Sequence, residues 1–270
     1  MPLTIDGLLG TVYVTAWSVS MYPPIITNCR LRSSKGISFD FIMLNSVGYF
    51  YLVCSLFLQY FFWDDLEAVG EKLVEKPKVS GFDLWYCMHG FVLNLVLWSQ
   101  VRYPAQLWHF DYSTTYRKMK PGYSRLLCGS LACFALMTVN FIYGGPWDNK
   151  RMLQYCNQLF LLKISMSLVK YIPQVVYNFD RKTMVGFAIQ GVFLDVTGGV
   201  ASLGQLFYQL ARDKDGLSLD ILLTNFGKIG LGLVTLVFNF IFISQWFIYD
   251  YSKRKSIPLP LSKETDQLKG

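Results

Sequence analysis

Seven apolar runs alternate with short polar segments along the chain, over residues 7–28, 39–63, 82–102, 123–145, 153–177, 186–210 and 225–249. A helix needs about 20 residues to cross the hydrocarbon core of a bilayer. Helices and closed barrels alone satisfy their own backbone there, so the pattern predicts an all-α membrane protein of seven transmembrane helices. Aromatic residues collect at the run ends, at Tyr60–Trp63, Trp85, Tyr86, Trp147, Trp246 and Tyr249, as interfacial belts require.

Composition agrees with this reading. Of 270 residues, 53% are hydrophobic and 16% charged, too apolar a balance for a soluble domain of this size. The net charge of +7 therefore reads as topology and not as nucleic-acid binding. The six cysteines lie mostly within apolar runs without CxxC spacing, and the histidines are His89 and His109, so neither a disulfide framework nor a metal site is expected. HExxH, GxSxG and Walker patterns are absent, which argues against an enzyme. The start MPLTIDG has no basic region or small-residue cleavage site, and the first run is expected to be a retained span.

Charge distribution sets the orientation. Fifteen of the 25 Lys and Arg fall in the loops after runs one, three and five and in the tail, against seven on the opposite side. The positive-inside rule then places the amino terminus in a lumen or outside and the carboxy terminus in the cytosol. The remaining three, Lys163, Lys170 and Lys228, lie within predicted spans.

The chain also repeats itself. Residues n and n + 150 pair Pro23 with Pro173, Asn28 with Asn178, Arg32 with Lys182, Gly36 with Gly186, Asn45 with Asp195 and Gly48 with Gly198. An offset of 145 pairs Asn94 with Asn239, Ser99-Gln100 with Ser244-Gln245, and Asp83 with Lys228. Spans one to three thus form one copy and spans five to seven another. Span four restores the orientation of the second copy, giving parallel repeats about an axis along the membrane normal. The expected organisation is a first three-helix repeat over 1–103, a cytosolic loop with linker helix over 104–150, a second repeat over 151–250, and a cytosolic tail over 251–270 without fixed structure.

Intramembrane charge marks the candidate site. Lys163, Ser167, Lys170 and Gln174 are spaced by four, three and four, which places them on one face of a continuous helix. A charge at a helix centre costs about 2.5–3.5 kcal/mol on insertion scales, so the stripe predicts an internal cavity or internal pairing. Asp195 lies mid-span, where burial opposes ionisation and a nearby lysine favours it, a balance suited to binding and releasing a proton. Its repeat mate Asn45 cannot titrate, so one half alone would carry the proton. Asp83 is a second proton-site candidate. Pro23 and Pro173 each remove a helical hydrogen bond and are candidate hinges. Gly198 and Gly199 suit close helix approach.

At these residues the sequence resembles the PQ-loop family and, within it, the cystinosin family, nearest its short fungal homologues, described as ERD suppressor proteins. Lys170–Gln174 (KYIPQ) looks like the second PQ motif, and Ala16–Ser20 with Tyr22 and Pro23 like the start of the first. The run GISFDF at 36–41, Asn45, Leu194-Asp195 with Thr197–Gly199, and Lys228–Gly232 continue the match over all seven spans. The resemblance implies a SWEET-like seven-helix fold in a lysosomal, vacuolar or endosomal membrane. It implies export of L-cystine with protons from an acidic lumen to the cytosol by alternating access, with no cofactor beyond the coupling proton. The positions matching Asp195 and Asp83 would be tied to proton coupling. Those matching Asn45, Lys163, Lys170, Gln174, Asn178 and Lys228 would line the substrate cavity. Three departures stand out: Pro24 where the first motif usually has Gln, Gly191 where a polar Asn is expected, and Asn239 in place of an acid.

Two other readings remain open. One is a transporter of another amino acid, although an excess of intramembrane lysine would repel a cationic substrate. The other is a non-transporting seven-span sorting receptor or scaffold that binds carboxylates through its lysines. Beyond the bilayer, cystine and protons, the sequence points to no protein partner.

Overall fold

The structure, a computed structural model, describes residues 4–63, 79, 81–111, 118–212 and 226–251. Among these the protein is all-helical: α1 Ile5–Ser20, α2 Tyr22–Leu31, α3 Phe39–Phe61, α4 Gly81–Arg102, α5 Pro104–Trp108, α6 Pro121–Tyr143, α7 Asn149–Val169, α8 Tyr171–Arg181, α9 Ile189–Arg212 and α10 Phe226–Trp246, which runs on into a π-helical turn, Phe247–Tyr251. Four described stretches, Phe39–Phe61, Pro121–Tyr143, Asn149–Arg181 and Gly232–Asp250, are long and apolar enough to cross a membrane. Of the expected tail over 251–270, Tyr251 closes the π-helical turn and the rest lies outside the described residues.

The first and fifth apolar runs are each broken in two. A proline ring collides with the carbonyl four residues earlier and supplies no N–H. For Pro24 and Pro173 those carbonyls belong to Ser20 and Val169, where α1 and α7 end. The lower pieces α2 and α8 then stop on equivalent residues, Arg32 (φ 45°) and Lys182 (φ 53°), both in the left-handed conformation that terminates helices.

Side-chain packing repeats at the offsets read from the sequence. Ile37, Phe39, Ile42, Leu97 and Val101 form one apolar cluster. Their mates Phe187, Ile189, Val192, Phe242 and Trp246 pack together in another. The buried amides repeat too. Asn28 Nδ2 donates to Gln100 Oε1 at 2.9 Å, and Gln100 Nε2 donates to the Ile25 carbonyl at 3.3 Å. In the second copy Asn178 Nδ2 donates to Gln245 Oε1 at 3.1 Å, and Gln245 Nε2 to the Val175 carbonyl at 2.9 Å.

The copies also exchange helices. α1 packs chiefly on α9 of the other copy, and α7 on α3, while α4 and α10 pack on α3 and α9 of their own. Small residues make this possible. A Cβ at Gly198 would lie 2.5 Å from the Trp17 ring, and one at Gly48 would lie 3.3 Å from Met166 Cβ. α6 packs on α7 and α3 and turns Leu131, Leu136, Val139 and Ile142 outward, as a lipid-facing helix does.

The copies touch again where Gly36 meets Gly186. A Cβ at Gly36 would collide with the Gly186 backbone, and one at Gly186, whose φ is +85°, would lie 3.0 Å from Gly36 N. Gly36→Ala is therefore expected to cost about 1–3 kcal/mol by overpacking and to lower the melting temperature of the detergent-solubilised protein by several degrees. Gly129→Ala, whose added Cβ meets nothing within 4 Å, should leave it unchanged.

Candidate substrate cavity

A cavity of about 320 Å³ opens where α1, α3, α4, α7, α9 and α10 converge. Among the residues lining it are Asn45, Lys163, Lys170 and Asp195, so the fold gathers four of the sequence-predicted site residues around one space. Ser167, from the same polar stripe, joins them. The pairing of Asn45 with Asp195 in the repeat places one on α3 and the other on α9, the middle helices of the two copies.

Lys170 occupies the break between α7 and α8. Its ammonium donates to Asn45 Oδ1 at 2.8 Å and lies 4.7 Å from the Tyr171 ring centre and 5.9 Å from that of Phe41. The lysine thus bonds to the neutral repeat mate and not to Asp195, whose carboxyl faces Ser20 and the field of Lys170. Trp17 Nε1 donates to the Asp195 carbonyl at 3.4 Å, pinning α1 against α9. Asn45 is held in turn by α4: its Nδ2 donates to Asn94 Oδ1 at 2.7 Å, and Asn94 Nδ2 donates to Ser46 Oγ at 2.5 Å. Two ammonium groups, one carboxyl and two amides around a partly apolar space can receive a small zwitterion through its carboxylates and ammonium groups at once.

Three predicted site residues, Gln174, Asn178 and Asp83, stand elsewhere among the described residues. Gln174 and Asn178 are fully buried in α8, away from the cavity lining. Gln174 crosses to the other copy, accepting from Ser38 N at 2.8 Å and donating to the Gly36 carbonyl at 3.0 Å and to Asn178 Oδ1 at 2.8 Å. The single-face reading assumed a continuous helix. The break at Lys170 turns Gln174 off the lysine face and into a latch between copies. Asp83 is exposed in the first turn of α4, one turn before Cys87, which lines the cavity. Lys228 lies on α10, but its side chain is outside the described residues. Of the hinge candidates, Pro23 follows the first break by two residues and Pro173 the second by three.

Several liners were not predicted as site residues. Trp17 and Ser20 belong to the first motif, and Asn94 had been noted as a repeat mate. Those signals could have found them. Tyr49, Tyr86 and Tyr171 also face the cavity, but aromatics make up 17% of the chain and no spacing distinguishes these three.

The latch has no counterpart in the first copy. The mate of Gln174 is Pro24, which has no side-chain donor, and Asn28 Oδ1 is left buried without a partner. Gly191 packs here as well: a Cβ on it would lie 3.0 Å from the Ser20 carbonyl and 3.8 Å from Pro24 Cδ. Two of the departures from the PQ-loop pattern are thus neighbours in space. An unsatisfied buried polar group costs about 1–3 kcal/mol. Gln174→Leu, which would strip Ser38 N, the Gly36 carbonyl and Asn178 Oδ1 together, is expected to lower the melting temperature. Pro24→Gln, which supplies a donor for Asn28, should raise it. Thermal scans of purified protein decide both.

Comparison with known proteins places these features in context. A family model described as PQ loop repeat matches twice, over residues 7–65 and 155–215, offset by close to the 150 residues of the repeat. A protein of Saccharomyces cerevisiae named cystine transporter is 57% identical over 251 residues, which cover 92% of this chain and 95% of that one. Cystinosin of Bos taurus is 32% identical over 248 residues, covering 90% of this chain and 62% of the bovine protein. A cystinosin homolog of Dictyostelium discoideum is 29% identical, covering 90% and 81% respectively.

Proposed function

The chain belongs to the cystinosin family of PQ-loop proteins, and from that premise we propose that it carries L-cystine, together with protons, out of an acidic lumen into the cytosol. The observation that carries this reading is the convergence of Lys163, Lys170, Asn45 and Asp195 on one cavity between the two copies. Cystine bears two carboxylates and two ammonium groups at neutral pH. The lysines complement the former, and Asp195 with Asn45 the latter. The yeast relative is named as a transporter and not as an enzyme.

In this reading the helices form seven spans, with α1–α2 and α7–α8 counting as one each and α6 as the linker between parallel repeats. The loops that meet at Gly36 and Gly186 carry Arg32, Lys35, Arg181 and Lys182 nearby and face the cytosol by the positive-inside rule. The amino terminus is then lumenal and the carboxy terminus cytosolic. With those loops in contact and latched by Gln174, the arrangement is closed toward the cytosol. Alternating access takes place when they part about the breaks beside Pro23 and Pro173 and the opposite end closes. Asp195 carries the coupled proton, with Asp83 at the lumenal entrance, and Gln174 and Asn178 act on the gate. The membrane is vacuolar, lysosomal or endosomal, where the lumen supplies the protons.

The test is flux of labelled cystine into cells that display the protein at the plasma membrane, where the lumenal face meets the medium. Wild type is expected to transport faster at acidic than at neutral outside pH, and Asp195→Asn to lose that acid dependence. Lys170→Met is expected to raise the KM for cystine at least about tenfold, since a charge-assisted hydrogen bond contributes about 1.5–3 kcal/mol. Binding of carboxylate ligands without any flux at either pH would point instead to a receptor, and flux of another amino acid to a different substrate.

A further inference from the structure

Asn239 is buried in α10 at 1% exposure, and its Nδ2 has no hydrogen-bond partner. A buried amide N–H without an acceptor needs an explanation, and the repeat supplies one. Its mate Asn94 makes two bonds across to α3: it accepts from Asn45 Nδ2 and donates to Ser46 Oγ. Carried to the second copy, Asn45 becomes Asp195 and Ser46 becomes Val196. The hydroxyl that satisfies Asn94 is therefore an apolar side chain opposite Asn239, and the polar group left on that face of α9 is the Asp195 carboxyl. α9 and α10 pack on each other as α3 and α4 do.

We propose that Asn239 is a positioning residue for Asp195: its carboxamide hydrogen-bonds the Asp195 carboxyl in either protonation state, presenting Oδ1 to the acid O–H and Nδ2 to the carboxylate. This deepens the proton-coupling reading of Asp195 and rests on it. A carboxamide carries both a donor and an acceptor and has no charge of its own, so the pair titrates as a single group. In the present structure the carboxyl interacts with Ser20 and lies in the field of Lys170, and Asn239 Nδ2 has no partner. Trp17 of α1, Tyr49 of α3, Tyr86 of α4 and Tyr171 of α8 stand around the same space. Asp195 thus has two stations, one shared with α1 and the α7–α8 break across the cavity, the other within its own copy on α10. Moving between them couples the protonation of Asp195 to the relation between the two copies.

The experiment uses full-length protein in liposomes, with infrared difference spectra on acidification. The protonated-carboxyl C=O band of Asp195 is identified by its loss in Asp195→Asn. In Asn239→Leu, which can neither donate nor accept, the band is expected to move to higher wavenumber. Acid-driven cystine flux should fall about tenfold with KM nearly unchanged, as loss of one hydrogen bond to a charged group would give. Val196→Ser gives Asn239 Nδ2 the acceptor that Ser46 gives Asn94. It fixes Oδ1 toward Asp195, so the band is expected to stay while flux falls. A band that does not move in Asn239→Leu overturns the proposal, as does unchanged flux in Val196→Ser, the deciding variant if Asn239→Leu fails to reach the membrane. A shifted band in protein that carries no cystine would uphold the positioning role and remove the transport reading. An unmoved band with intact acid-driven flux would do the reverse.

Discussion

The buried clamp of asparagine, glutamine and main-chain carbonyl is the interaction on which the architecture depends, and it occurs once in each copy. It fastens α2 to α4 and α8 to α10, so each lower half-helix is clamped to its own repeat, with Gln174 adding the latch from α8 to the other. The upper halves, α1 and α7, pack on the other repeat. The chain breaks where these two allegiances meet, at Met21 and at Lys170. In hydrocarbon such clamps have little competition, since water is not there to replace either partner. The cavity lies beside the breaks, so Lys170, the residue at one of them, bonds across to Asn45 in the other half.

Much of this was legible in the sequence. Apolar helices share Leu and Phe cheaply, but Asn, Gln and Gly at fixed offsets mark clamps and close approaches, and the pairs Asn28 with Asn178, Gln100 with Gln245 and Gly36 with Gly186 have matching structural roles. The intramembrane charges were equally informative, because Lys163, Lys170 and Asp195 had no place to go but an interior space. Gln174 and Asn178 were less so. Helical spacing assigned Gln174 to the lysine face, and only the break at Lys170 reveals that it points to the neighbouring copy. The cavity tyrosines were hidden for a different reason, being chemically the same as the aromatics facing lipid.

Departures from the repeat are as informative as its agreements. Where Pro24 stands in place of a mate for Gln174, Asn28 Oδ1 is buried without a partner, and where Val196 stands in place of a mate for Ser46, so is Asn239 Nδ2. One lies toward the loop end of the first copy and the other in the membrane-spanning part of the second. The two halves therefore share a scaffold but divide their parts: the second supplies both the crossing latch, through Gln174, and the carboxyl of the cavity. The first supplies the loop that is latched, with a neutral amide opposite that carboxyl.

Gly36 and Gly186 meet each other at equivalent positions, which places the pseudo-symmetry axis between them. Elsewhere the two copies have been free to drift apart in sequence, as Pro24 against Gln174 and Asn45 against Asp195 attest. On the axis that freedom ends, because each glycine is the wall against which the other is fitted. Neither position can acquire a side chain by a single substitution without displacing its twin. The two copies, free to differ elsewhere, are bound at this point to the same residue.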